Sequence, residues 1–240
     1  MRHAVGIALI VLFAESAFAA TTTAVVPPSL ANVDGNGSNQ SPFAGASGKH
    51  WQAVIAPSAF PALLPGSTIV GVAFRANGTV PVQAQTIQNF DVRMSTTDVA
   101  LASMSTTFAT NRGTDDLLVR TGPLVIESGD YPTGAFPNQW GKVITFTTPF
   151  VYRGGNLVIE TSSTALPSGF PTDSQSGTVE GRNNYADGPS TATATYAQQW
   201  NLIVMQLVFD PSTIPVVSTA GLIAMAIALF LIGWAALPRN

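Results

Sequence analysis

Asn89-Phe90-Asp91-Val92-Arg93-Met94-Ser95 alternates strictly between apolar and polar side chains. Phe90, Val92 and Met94 fall on one side of an extended chain; Asn89, Asp91, Arg93 and Ser95 fall on the other. A period of two is the mark of a half-buried β-strand. It sets the expectation for the rest of the chain.

Working outward, the same kind of run recurs. Trp51–Ile55 and Ser67–Arg75 read as strands before it, the second with Val70, Val72 and Phe74 on one face. After it, Leu117–Glu127 is a strand interrupted at Gly122-Pro123, as an edge or bulge would be. Lys142–Tyr152 turns Ile144 and Phe146 inward, and Gly154-Gly155 links it to Asn156–Glu160. Two β runs across a short Gly-Gly segment predict a hairpin. Thr178–Tyr185 and Thr191–Tyr196 are more polar strands, and the almost wholly apolar Asn201–Phe209 predicts a central strand. No amphipathic helix and no fixed repeat is visible. The expectation is an all-β fold, an antiparallel β-sandwich of jelly-roll type, over residues 49–212. Thr, Pro, Asn, Gly and Ser dominate 20–48, which reads as an extended lead-in.

Both ends carry apolar segments. Arg2, the apolar run Ala4–Ala14 and the small-residue site Ala17-Phe18-Ala19 form a secretory signal peptide, residues 1–19, cleaved after Ala19. Ala220–Leu237 holds no charged residue and is long enough for a transmembrane helix; Arg239 follows it. The middle of the chain is thereby expected on the exported side, with the protein in the inner membrane at least transiently and then at the cell surface. Ile214-Pro215, Gly221-Leu222-Ile223, Gly233-Trp234 and Arg239 together resemble the IPTL-CTERM sorting signal of bacterial surface proteins, a relative of PEP-CTERM. Val216-Val217 stands where that signal usually has Thr-Leu, and Arg239 stands in place of a basic cluster. The resemblance implies anchoring through residues 214–240 and processing by a transpeptidase of exosortase type. A second resemblance covers most of residues 32–160. Asn36–Phe43, Val92–Thr97, Ser105–Asn111 and Thr148–Leu157 are similar to a group of uncharacterised exported bacterial β-proteins with PEP-CTERM-type tails. It implies fold and address and brings no activity.

Composition narrows the chemistry. Charged residues make up 10% of the chain and the net charge is −3, so no nucleic-acid partner is expected. There is no cysteine, which removes thiol nucleophiles and thiolate metal sites. With His3 in the signal peptide, His50 is the histidine any Ser-His-Asp triad would need, yet no G-x-S-x-G elbow accompanies it. Asp91 and Arg93 read as a solvated pair. Glu127, Glu160 and Glu180 lie on or near strands, where a hydrolase could find its two carboxylates. Asp34-Gly-Asn36-Gly-Ser38 offers oxygens at alternate positions, and Asp115-Asp116 is a second oxygen-rich point; calcium is the one cofactor they suggest. Trp140 and Tyr131, in one loop, are candidates for stacking on a sugar. The favoured expectation is a non-enzymatic surface or matrix protein with a structural or adhesive role. A carbohydrate-binding module acting on exopolysaccharide and a polysaccharide hydrolase are the alternatives.

Overall fold

A computed structural model describes residues 20–43 and 45–211 of the protein. The expected signal peptide with Ala17 and Ala19, and the expected sorting signal with Ile214, Pro215, Gly221, Gly233, Trp234 and Arg239, lie outside the described residues. Among the described residues no helix is long and apolar enough to cross a membrane.

Among the described residues fifteen strands follow one another, with only short 3-10 turns between some of them. The first five are β1 (Thr22–Val26), β2 (Gly37–Asn39), β3 (Lys49–Ile55), β4 (Thr68–Phe74) and β5 (Gln85–Ile87). Then come β6 (Phe90–Thr97), β7 (Leu117–Arg120), β8 (Leu124–Ile126), β9 (Ile144–Val151) and β10 (Asn156–Ser163). The last are β11 (Thr172–Ser176), β12 (Gly181–Asp187), β13 (Tyr196–Gln199), β14 (Asn201–Ile203) and β15 (Met205–Asp210). They form sheets ordered β1-β15-β4-β9, β13-β12-β3-β10-β6-β7, β14-β11-β2 and β5-β8. Every strand pairing is antiparallel.

The alternation read in β6 is the alternation observed. Phe90, Val92 and Met94 are fully buried, while Asp91 and Arg93 stay partly exposed. They join an apolar cluster fed by both larger sheets: Trp51, Ala53 and Ile55 from β3, Ile69, Val72 and Phe74 from β4, Leu207 and Phe209 from β15. Burial of that apolar surface is the main force holding these strands together.

Four expectations need correction. The lead-in over 20–48 is not only extended chain. Thr22–Val26 pairs along its whole length with β15, burying Ala24 and Val26. Phe43 is fully buried, stacked on Phe170 at 4.7 Å and edge-on to Tyr131 at 5.2 Å. A short run flanked by Pro27-Pro28 hides its period, so only the partner strand reveals it. The expected hairpin over 142–160 is a crossing between sheets: β9 pairs with β4, whereas β10 lies between β3 and β6. Gly154 and Gly155 both take positive φ, 97° and 81°, and turn the chain out of the first sheet. The apolar run Asn201–Phe209 is two strands, because at Val204 the chain passes from the three-stranded to the four-stranded sheet. There the Val204 amide donates to the Asp173 carbonyl at 2.9 Å. Likewise Leu117–Glu127 divides at Gly122-Pro123 into β7 and β8, which belong to different sheets.

Candidate functional site

Strand parity turns two polar rows outward on the six-stranded sheet. On β3, Trp51, Ala53 and Ile55 enter the core, so His50 and Gln52 point the other way. On β10, Leu157 and Ile159 enter the core, so Glu160 and Ser162 share the face of His50 and Gln52. The register sets Glu160 beside Gln52 on one flank and Arg93 on the other; Ser162 sits between His50 and Asp91.

The segment after β6 covers this face. Leu101 and Met104 pack on Val54 and Val158, and Phe108 stacks on the His50 ring at 3.8 Å. Gly113 lets the segment return close to the sheet: a Cβ there would lie 1.8 Å from the Thr96 carbonyl oxygen. The return delivers Asn111 and Arg112 into the polar rows.

The result is a connected network. Arg112 donates to both oxygens of Glu160, from Nε to Oε2 at 2.9 Å and from Nη2 to Oε1. Gln52 Nε2 donates to Oε2 at 2.7 Å, and His50 Nε2 lies 2.8 Å from Oε1. Asn111 Nδ2 donates to Gln52 Oε1 at 2.7 Å. His50 Nδ1 lies 2.7 Å from the Thr191 carbonyl oxygen. Carbonyl and carboxylate oxygens only accept, so each ring nitrogen of His50 faces an acceptor. Burial on its own would raise the Glu160 pKa; hydrogen bonds from His50 and Arg112 outweigh it and hold the value down to about 2. The Arg112 guanidinium is held above its ordinary range, chiefly by the hydrogen bond to Glu160.

Two catalytic readings can be set against this geometry. A Ser-His-acid triad needs one imidazole nitrogen on the serine and the other on the acid. Ser162 stands opposite His50, but its hydroxyl donates to the Pro189 carbonyl at 2.6 Å, and both His50 nitrogens face other partners. A glycosidase acid must hold a proton to deliver. Glu160, ionised down to about pH 2, holds none at neutral pH.

A cavity of about 170 Å³ borders the network, with Asp91, Arg93 and Arg112 in its wall. A more open depression of about 470 Å³, lined by Thr96, Thr97, Asp98 and Thr114 among others, also borders Arg112.

The residues singled out from sequence are scattered. Tyr131 is 3% exposed and packs on Phe43 and Phe170; desolvation drives its pKa well above the usual phenol range. It is a core residue and out of reach of a sugar, because the apolar cluster closes over its ring. Trp140 is half-buried beside the Arg75 guanidinium, 5.2 Å from its ring centre. Asn36 bridges to β11: its Nδ2 donates to the Ser176 carbonyl and its Oδ1 accepts from the Ser176 amide. Asp34 lies near Asp173 and Arg75; burial first, then Asp173, raises its pKa. Asp115 accepts from the Thr96 amide at 2.8 Å and hydroxyl at 2.7 Å, and Asp116 pairs with Arg93 at 2.9 Å and Arg112 at 3.7 Å. Among the described residues no three acidic or histidine side chains converge as a metal-binding set.

Near Asp34 lies a second buried ion pair. Arg75 Nε donates to Asp173 Oδ2 at 2.7 Å, and Nη2 donates to the Val33 carbonyl at 2.5 Å. Asp173 also accepts from the Gly35 amide at 3.0 Å. A Cβ on Gly35 would lie 2.1 Å from the Ser174 carbonyl oxygen, so the close approach depends on glycine.

Sequence reasoning passed over Gln52, Asn111 and Arg112. The period-2 polarity of β3 and β10 marks the outward row. The covering segment adds the rest through contacts that no local pattern carries. Set beside protein-family models, curated proteins and solved structures, the chain matches none.

Proposed function

We propose that the chain is an exported bacterial surface or matrix protein with a structural or adhesive role. Its strands form a jelly-roll-like β-sandwich, anchored or sorted through residues 214–240 and processed there by an exosortase-type transpeptidase. The observation that carries the non-enzymatic part is the Glu160 network. The most deeply buried cluster of catalytic residue types on the six-stranded sheet spends its donors and acceptors on itself. Such a cluster fastens a covering segment to a sheet; it does not turn over a substrate.

A second reading, carbohydrate binding, is favoured by the cavity beside that network. One experiment separates the readings. The full-length protein, solubilised in detergent, is mixed with exopolysaccharide from its host with and without calcium, then assayed for co-sedimentation and new reducing ends. Retention without cleavage is the result the carbohydrate-binding reading expects; neither retention nor cleavage is the result the purely structural role expects. New reducing ends would overturn the non-enzymatic assignment, and retention only with calcium would return attention to Asp34 and Asp115. Mass spectrometry of the native protein checks the address: a mature form beginning near Ala20 is expected, and one beginning at Met1 in the cytosol refutes export.

A further inference from the structure

Asp91 and Arg93 face the 170 Å³ cavity with hydrogen-bonding groups that nothing else uses. Among the described residues Arg93 donates only from Nη1, to Asp116 at 2.9 Å. Its Nε and Nη2 remain open, and its side chain is 36% exposed. Asp91 accepts at Oδ1 from the Thr121 hydroxyl at 2.6 Å, which leaves Oδ2 open. Two residues apart on β6, these groups lie about 7 Å from each other along the strand. One side offers donors and the other an acceptor.

The charges around them cancel. Arg93 is paired with Asp116, and Arg112 with Glu160. Asp91 in turn lies in the field of the Arg120 guanidinium, which its charge favours. The wall therefore gives an anion no net attraction, and it gives a cation none either. Of the residues around it, Pro189 alone is apolar, so an apolar ligand gains little there. What remains is a neutral ligand able to donate to Asp91 and accept from Arg93. Hydroxyl groups do both. The neighbouring 470 Å³ depression is also polar, with three threonines and the Gly113 and Gly154 backbone, and Arg112 is common to the two hollows.

We propose that the Asp91–Arg93 cavity binds one neutral sugar residue through its hydroxyls, while the adjoining hollow at Arg112 takes the next residue of the same chain. The site grips by directed hydrogen bonds, without an aromatic platform: Phe108 is stacked on His50 and buried. This deepens the carbohydrate-binding reading given above and rests on it.

The test uses the full-length protein in detergent and saturation-transfer NMR. The probes are neutral gluco-, galacto- and manno-oligosaccharides and the matching oligouronates. At least one neutral series is expected to bind, with affinity unchanged between about 50 and about 500 mM NaCl, where screening would cut a charge-driven contact. Asp91→Asn and Arg93→Gln are each expected to weaken binding about tenfold or more, the loss that follows from one hydrogen bond to a charged group. Asp116→Asn disturbs the local ion pairs and leaves the free Arg93 donors in place, so it should still bind. Failure of every neutral probe overturns the proposal, as does a preference for oligouronates that vanishes with salt. Equal weakening by Asp116→Asn overturns it too, since the effect would then be structural. Co-sedimentation with exopolysaccharide that survives Asp91→Asn sinks this site and leaves the carbohydrate-binding reading standing.

Discussion

The two buried ion clusters use the same chemistry to different ends. Arg75 and Asp173 are each 1% exposed and sealed among backbone groups of residues 33–35 and β11. Glu160 is as deeply set, but its partner Arg112 is 22% exposed and stands at a cavity mouth. The first cluster pins the N-terminal segment to the three-stranded sheet. The second pins a covering segment to the six-stranded sheet and leaves Arg112 partly exposed beside a cavity. Burial of charge alone does not mark a working site. What distinguishes the two is whether unspent hydrogen-bonding groups lie beside the buried charge.

The sealed cluster should be the more fragile to the loss of one partner. Asp173→Ala strands the Arg75 guanidinium in a dry interior and is expected to cost about 3–5 kcal/mol in denaturant unfolding. The double variant Arg75→Met with Asp173→Leu should recover most of that. If Asp173→Ala costs less than the matching change at Glu160, the ranking of the two clusters is wrong.

Glu160→Gln keeps the shape and removes the charge, with part of Arg112 already wet; about 2–3 kcal/mol is expected. Its pH dependence sharpens the comparison. A carboxyl whose folded pKa of about 2 lies below its ordinary 4.5 contributes stability that is complete above 4.5 and disappears as pH falls toward 2. The melting temperatures of the two proteins should therefore differ most near neutrality and converge as pH drops through that window. A constant gap would show that the charge of Glu160 is not what matters.

Gly35→Ala attacks the sealed cluster through the backbone. The added methyl meets the Ser174 carbonyl, and a loss of about 1–3 kcal/mol is expected from the forced shift. The smallest effect should come from Tyr131→Phe. The Tyr131 hydroxyl is buried and has no hydrogen-bond partner among the described residues, so its removal should change stability by less than about 1 kcal/mol. A larger loss would mean that this hydroxyl has a partner after all.

Much of the strand content was legible, because alternation such as Phe90-Asp91-Val92-Arg93-Met94 is a local property. Sheet membership was not. Asn201–Phe209 reads as one strand because nothing local distinguishes Ile203 from Met205; the change of sheet depends on β11 accepting the Val204 amide. Thr22–Val26 was passed over because its period is short and its evidence is β15, at the far end of the chain. The site was half legible. His50 and Glu160 each drew notice singly, but their contact spans 110 residues of sequence and follows from the β3–β10 register. Tyr131 misled for the opposite reason: its loop is rich in proline and glycine and looks exposed, while its ring fills the space beside Phe43.

The position of β15 has a mechanical consequence. It is bonded to β1 on one side and β4 on the other, and the Thr21 hydroxyl clasps Asp210 at 2.9 Å. A domain held by its C-terminal segment, as the proposed anchoring requires, takes any tug through the residue that follows Asp210. A pull along β15 loads both flanking ladders in shear, so their bonds must yield together instead of unzipping in turn. The last strand would then serve as a tether point that resists detachment until whole ladders give way at once.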